Sequence, residues 1–227
     1  MSDNGKAVTG GVAVSGSIEA RVKHNMAGLH IAGARFFAAK ATDIESALLA
    51  AAPGGEADGA AQRAYAVGAV VLAGMGLEAC INEVYLDACD KNMQKLAGLD
   101  GREASLLAEW WIEIEPRPAL LKYQHALLLL GREEFPRGLT PYQEADSLIR
   151  LRNALAHYKP EWDDSLDVHA DLLARLTGKF ALNPLATGAH LWFPHQCLGS
   201  GCAHWAVDTA EAFVREFCTR LGIKKRI

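Results

Sequence analysis

The chain has 227 residues, a formal net charge of −4 and 50% hydrophobic residues, enough apolar material to bury a core without staples. The negative balance excludes a protein that coats nucleic acid non-specifically, because such binding neutralises many phosphates with clustered Lys and Arg. It leaves room for a local RNA site. Five cysteines, Cys80, Cys89, Cys197, Cys202 and Cys218, are an odd number at irregular spacing and read as reduced thiols in a cytoplasmic protein.

Residues 1–17 are rich in Gly, Ser and other small residues, without a basic region followed by an apolar block, and read as a flexible leader. From Ser17 to Ala52 apolar residues recur at helical intervals with almost no proline, which predicts one long helix. Pro53, Gly54, Gly55 and Gly59 form a turn-rich loop, and Ala60 to about Asp90 returns to helical composition, so the two segments form a long antiparallel hairpin. The uncharged run from Ala64 to Leu77 is shorter than the roughly 20 residues of a membrane span and is interrupted by Gly68, Gly74 and Gly76. It reads as a buried helix, with no membrane partner.

Arg102 to Glu115 and Ala119 to Leu130 predict two shorter helices separated by Pro116 and Pro118, the second rich in Leu. Thr140, Pro141 and Gln143 match a capping box with proline at the first helical position, and Pro160 ends the same helix. Val168 to Leu176 predicts a short helix, Gly178 to Gly199 an irregular stretch, and Ser200 to Leu221 an amphipathic helix that Gly222 terminates. No strand-like alternation competes, so the fold class is all-α.

The helix before Pro160 carries the chemistry. At 3.6 residues per turn Leu148, Leu151, Leu155 and Tyr158 share an apolar face, while Arg150, Asn153 and His157 project opposite. Arg152 breaks the pattern, falling in the arc near Leu155 and Ala156. A guanidinium there requires a carboxylate, a phosphate or a partner chain. His157 lies in the last turn, where the negative end of the helix dipole favours imidazolium, and histidine can act as both base and acid. A neighbouring arginine can grip a phosphate through two hydrogen bonds and stabilise charge developing on it. The Arg-to-His spacing alone is common in a chain with eight histidines.

The stretch Leu148-Ile-Arg-Leu-Arg-Asn-Ala-Leu-Ala-His-Tyr-Lys-Pro160 resembles the late-helix motif of HEPN domains, an arginine, often Asn, a few residues and then histidine. Arg152, Asn153 and His157 fill it with four intervening residues, and Arg150 is an alternative arginine with six. Gly76-Leu-Glu-Ala-Cys-Ile-Asn-Glu-Val-Tyr85 resembles the earlier helix that packs on the motif helix. The resemblance spans residues 18–160 and implies a HEPN-like helical bundle built on the long hairpin, with residues 161–227 as a C-terminal helical extension packed on the core. It further implies a homodimer that cleaves RNA without a metal or other cofactor, through His157 as the proton-transfer residue, Arg152 as the phosphate binder and Asn153 as an orienting residue. Glu78 and Asn82, four apart on one helix face, would be the polar partners opposite the motif, and Arg150 an alternative phosphate contact.

A toxin or defence ribonuclease of this kind would answer to an antitoxin or regulatory protein. The alternative is a non-catalytic HEPN-like dimerisation or nucleotide- or RNA-binding module, in which Arg152 makes an internal ion pair with Glu78 or Glu83.

His195, Cys197, Cys202 and His204 have the donor types of a zinc site but not its usual spacing. Small buried thiols, with Trp192, Phe193 and Trp205 as anchors, account for them, and the expected metal count is none. Trp110, Trp111 and Trp162 read as packing residues. Lys224, Lys225 and Arg226 read as a solvated basic end.

Overall fold

The computed structural model describes residues 23–51, 59–159, 169–186 and 191–227. The leader, Pro160 and Trp162 lie outside the described residues. Seven α-helices follow in chain order: α1 Ala27–Ala51, α2 Ala60–Cys89, α3 Gly101–Ile114, α4 Ala119–Leu129, α5 Tyr142–Ala156, α6 Ala170–Leu176 and α7 Ser200–Leu221. Among the described residues there is no strand, and the fold is an all-α bundle.

The α1–α2 hairpin is the frame. α1 buries Ala27, Ile31, Ala34, Ala38 and Ala41, a stripe of mostly alanines three and four apart that lets its backbone approach its neighbours closely. Its first turn is capped from α2: the Glu83 carboxylate accepts the N–H groups of Met26 and Ala27 at 2.7 and 2.8 Å. These are orphan donors that every helix start must place somewhere.

α2 is the central helix, and α1, α3, α4, α5 and α7 all pack on it. Its 30 residues include an 18-residue window of mean hydropathy 1.8, so it is long and apolar enough to cross a membrane, which corrects the length argument made from Ala64 to Leu77 alone. Half of that window is buried within the bundle. A helix surrounded by five others needs apolar residues on most of its circumference.

α7 belongs to the same core. It buries Phe213 and Phe217 completely, and both ring edges meet Tyr123 of α4 at 4.9 and 4.6 Å between centroids. Each such phenyl contributes about 1.5–3 kcal/mol by area. Gly222 ends α7 in the left-handed conformation at φ 84°, as its position predicts. After it the chain turns back, Ile223 is buried and Arg226 reaches Asp87 on α2.

α5 starts differently from expectation. Thr140 does not cap it: Pro141 precedes the helix after a cis Thr140–Pro141 peptide, and no side chain caps the terminus. The Gln143 N–H donates to the Leu139 carbonyl at 3.0 Å, so the donor that a threonine hydroxyl would satisfy is already taken by backbone. Leu148 and Leu151 are fully buried as predicted, whereas Leu155 is half-buried and Tyr158 is 45% exposed with its ring beside Phe193.

Candidate functional site

α2 and α5 cross where Gly74 lies under the stem of Arg152. A Cβ on Gly74 would lie 3.2 Å from Arg152 Cβ and 3.1 Å from its Cγ, so glycine there gives the arginine its bed on α2. Running along that surface, the guanidinium donates through Nη2 to Glu78 Oε2 at 2.8 Å. The Arg152 side chain is 20% exposed and that of Glu78 44%. Arg152 Nε is buried with no acceptor. The arginine that violates the helix pattern is therefore met by a carboxylate, with donor capacity left over.

The second α2 residue singled out from the sequence, Asn82, stands one turn further along. Its Oδ1 accepts from Lys122 Nζ of α4 at 2.8 Å. Lys122 is 3% exposed, and burial lowers its pKa below the usual lysine range while the Glu78 and Glu115 carboxylates pull the other way. Its ammonium lies 5.5 Å from the Trp111 ring centroid, a cation–π contact. Trp111 in turn stacks on Tyr85 at 5.6 Å. The Tyr85 hydroxyl lies 3.3 Å from the Lys122 carbonyl and 3.4 Å from His125 Nδ1, and burial raises its pKa so that it stays a protonated donor.

Glu78, Asn82, Lys122 and Arg152 thus form one polar seam between α2, α4 and α5, walled by Trp111 and Tyr85. Lys122 is the member that motif reasoning missed. Its signal was a lone cation in a Leu-rich segment, where a charge needs a reason just as Arg152 does.

His157 is the C-cap of α5, with its N–H donated to the Asn153 carbonyl at 2.9 Å. The side chains of Asn153 and His157 are exposed. Five residues apart on a helix, Arg152 and His157 project about 140° apart around the axis. The structure therefore brings Arg152 to Glu78 but leaves His157 and Asn153 outside the seam. Arg150 is engaged elsewhere, donating to Asp146 at 2.9 Å with Asp171 at 3.8 Å.

The His/Cys cluster does not converge. Cys197 and Cys202 are fully buried next to each other, and burial together with the hydrogen bond to Cys197 holds the Cys202 thiol well above its usual pKa. The His204 side chain is exposed and meets Thr42 Oγ1 on α1 at 3.0 Å. Along α7 the two-residue step from Cys202 to His204 sends their side chains in different directions. Among the described residues no group of three or more His, Cys, Asp or Glu side chains is placed to hold a metal ion.

Comparison with protein-family models, with curated proteins and with solved structures finds no match to this chain.

Proposed function

We propose that this chain is a HEPN-like, metal-independent endoribonuclease whose working site is composite: Arg152, oriented by Glu78, from one copy and His157 from a second copy related by a twofold axis. The observation that carries the reading is the division of labour on α5. Arg152 is held in place by one carboxylate, with a further donor unpaired, while His157 sits exposed on another side of the helix, with no side-chain partner among the described residues. A C2 interface repeats each patch on both copies and can bring one chain's arginine to the other's histidine. His157 would take the proton from a ribose 2′-hydroxyl and Arg152 would hold the adjacent phosphate; as the 2′-oxygen–phosphorus bond forms, the bond from phosphorus to the 5′-oxygen of the next nucleotide breaks, the 5′-oxygen leaves as a hydroxyl with a proton returned by the imidazolium, and the other end is a 2′,3′-cyclic phosphate.

The experiment is cleavage of a mixed-sequence RNA in EDTA by wild type, Arg152→Ala and His157→Ala, with product ends identified and folding checked by circular dichroism. Wild type alone should give cyclic phosphate ends. Mixing the two inactive variants should then restore roughly a quarter of wild-type activity, because a mixed dimer retains one intact composite site. Absence of wild-type cleavage across a broad RNA panel rejects the reading.

A second reading is a non-catalytic interaction module. It is favoured by the same Glu78–Arg152 pair, which already neutralises the arginine, and by the carboxylates of Glu78 and Glu115 around Lys122, which oppose RNA. In that case Arg152→Ala changes stability or oligomeric state and no chemistry.

A further inference from the structure

A cavity of about 380 Å³ lies away from the α2–α4–α5 seam, lined by Asn25, Gly28, Glu83, Gln94, Lys95, Lys224, Lys225 and Arg226. Glu83 sits one residue beyond Asn82, about 100° around α2, and so belongs to another face of the helix. We propose that this cavity binds a small phosphate-bearing ligand, with Lys95, Lys224 and Lys225 as the contacting cations and Arg226 as the fixed floor.

Charge balance is the first argument. Four cationic side chains line the cavity; Asp87 pairs with Arg226, which leaves three lysines against one lining carboxylate, Glu83, whose Oε1 caps α1 through Met26 and Ala27. The ammonium groups of Lys95, Lys224 and Lys225 have no ion-pair partner among the described residues. Lysines gathered around a cavity without ion-pair partners repel one another, and a bound anion removes that cost.

The second argument is Arg226. Its side chain is 6% exposed and tied through Nη2 to Asp87, while Nη1 is buried without a hydrogen-bond partner. An unpaired buried guanidinium donor is costly, and a phosphate oxygen entering beside it supplies the missing acceptor. The tie to Asp87 also fixes the preceding lysines, so the cationic cluster is held by the fold and is not a free tail. A half-open hollow of this size, rimmed by the exposed Lys95, Lys224 and Lys225, matches a small molecule, whereas an extended RNA strand is held along a longer groove.

The test is thermal unfolding of the full chain with inorganic phosphate or pyrophosphate, against sodium chloride at matched ionic strength. Wild type should show a saturable rise in Tm with the phosphates, lost in Lys224→Gln/Lys225→Gln and reduced in Lys95→Gln, with far-UV circular dichroism unchanged in both. General salt stabilisation by phosphate acts on every variant equally, so an equal rise in wild type and both variants overturns the proposal, as does no rise above chloride. An RNA oligomer forms a third arm: lysine-dependent binding of RNA with no response to phosphate or pyrophosphate also overturns it. None of these readouts depends on RNA cleavage, so this site and the α5 site stand or fall separately.

Discussion

Arg152 and Glu78, 74 positions apart in the chain, meet at 2.8 Å where α5 crosses α2, and the geometry of that pair predicts how it divides between stability and function. Glu78 is 44% exposed, so solvent screens much of the attraction. A double-mutant cycle with Arg152→Ala and Glu78→Gln should give a coupling energy below about 1 kcal/mol. Arg152→Ala should itself cost more than the coupling, because its stem packs on Gly74. Urea denaturation of the four proteins measures both. A coupling of several kcal/mol would mean that the pair exists for the fold, and would favour the interaction module.

Lys122 predicts the opposite balance. A lysine that burial has pushed below its usual pKa costs the fold energy at neutral pH, and a buried charge can often be replaced by an apolar group of similar size at no loss. Lys122→Met should therefore unfold at the same temperature as wild type or a few degrees higher, while Asn82, half-buried, takes water in place of the ammonium. If the seam binds phosphate, the same variant should lose RNA binding despite its stability. A marked fall in Tm would show that Lys122 is a structural cation instead.

How far the sequence could anticipate this arrangement depends on the range of the forces involved. α7 was legible to the residue, because amphipathic spacing and a left-handed Gly222 are local properties. So was the conflict at Arg152, since a charge on an apolar face is visible from periodicity alone. The start of α5 was not, because Leu139 supplies its carbonyl through a turn containing a cis proline, which composition does not specify. Arg226 was misread as solvated for a further reason: its partner Asp87 is 139 positions away, and no local pattern in either segment announces the pairing. Lys122 failed similarly, its acceptor Asn82 being 40 positions distant.

The pH response should be traceable to His125. Its imidazole lies against the Trp110 ring at 5.3 Å and near the Tyr85 hydroxyl, and burial lowers its pKa from the ordinary value. The unfolded chain, with a pKa of about 6.5, then binds the proton more readily than the folded one. This contribution is full above that pKa and is lost as the pH falls through it toward the folded value. Unfolding free energies from urea titrations at about pH 7.5 and 5.5 should differ less in His125→Gln than in wild type. An identical difference in both proteins would assign the acid sensitivity to other titratable groups.

Asp87 is 1% exposed and serves both Lys23, at 3.2 Å, and Arg226. Asp87→Ala strands the Arg226 guanidinium in the interior, which typically costs about 3–5 kcal/mol. Lys23→Ala should cost under about 1 kcal/mol, because that lysine is at the surface and leaves Asp87 paired with Arg226. Undocking of the tail should also expose Lys224 and Lys225 to rapid trypsin cleavage in Asp87→Ala alone. Equal effects of the two substitutions on the urea midpoint would contradict this account of the triad.

The same tail can be displaced from its other side, through two glycines that differ in what surrounds them. Gly98 has φ 121°, and a Cβ there would lie 1.8 Å from the Gly222 carbonyl oxygen, whereas a Cβ on Gly222 at φ 84° would meet open space. Gly222→Ala therefore carries only the left-handed conformational penalty, about 1 kcal/mol. Gly98→Ala adds backbone strain of about 1–3 kcal/mol to a collision with the Gly222 backbone that movement of the 222–227 segment relieves. Because that movement pulls Arg226 from Asp87, Gly98→Ala should reproduce the trypsin sensitivity of Asp87→Ala, and Gly222→Ala should not. Digestion time courses of the three variants decide it: protection of the tail in Gly98→Ala would mean that the loop before α3, and not the tail, yields to the added methyl group.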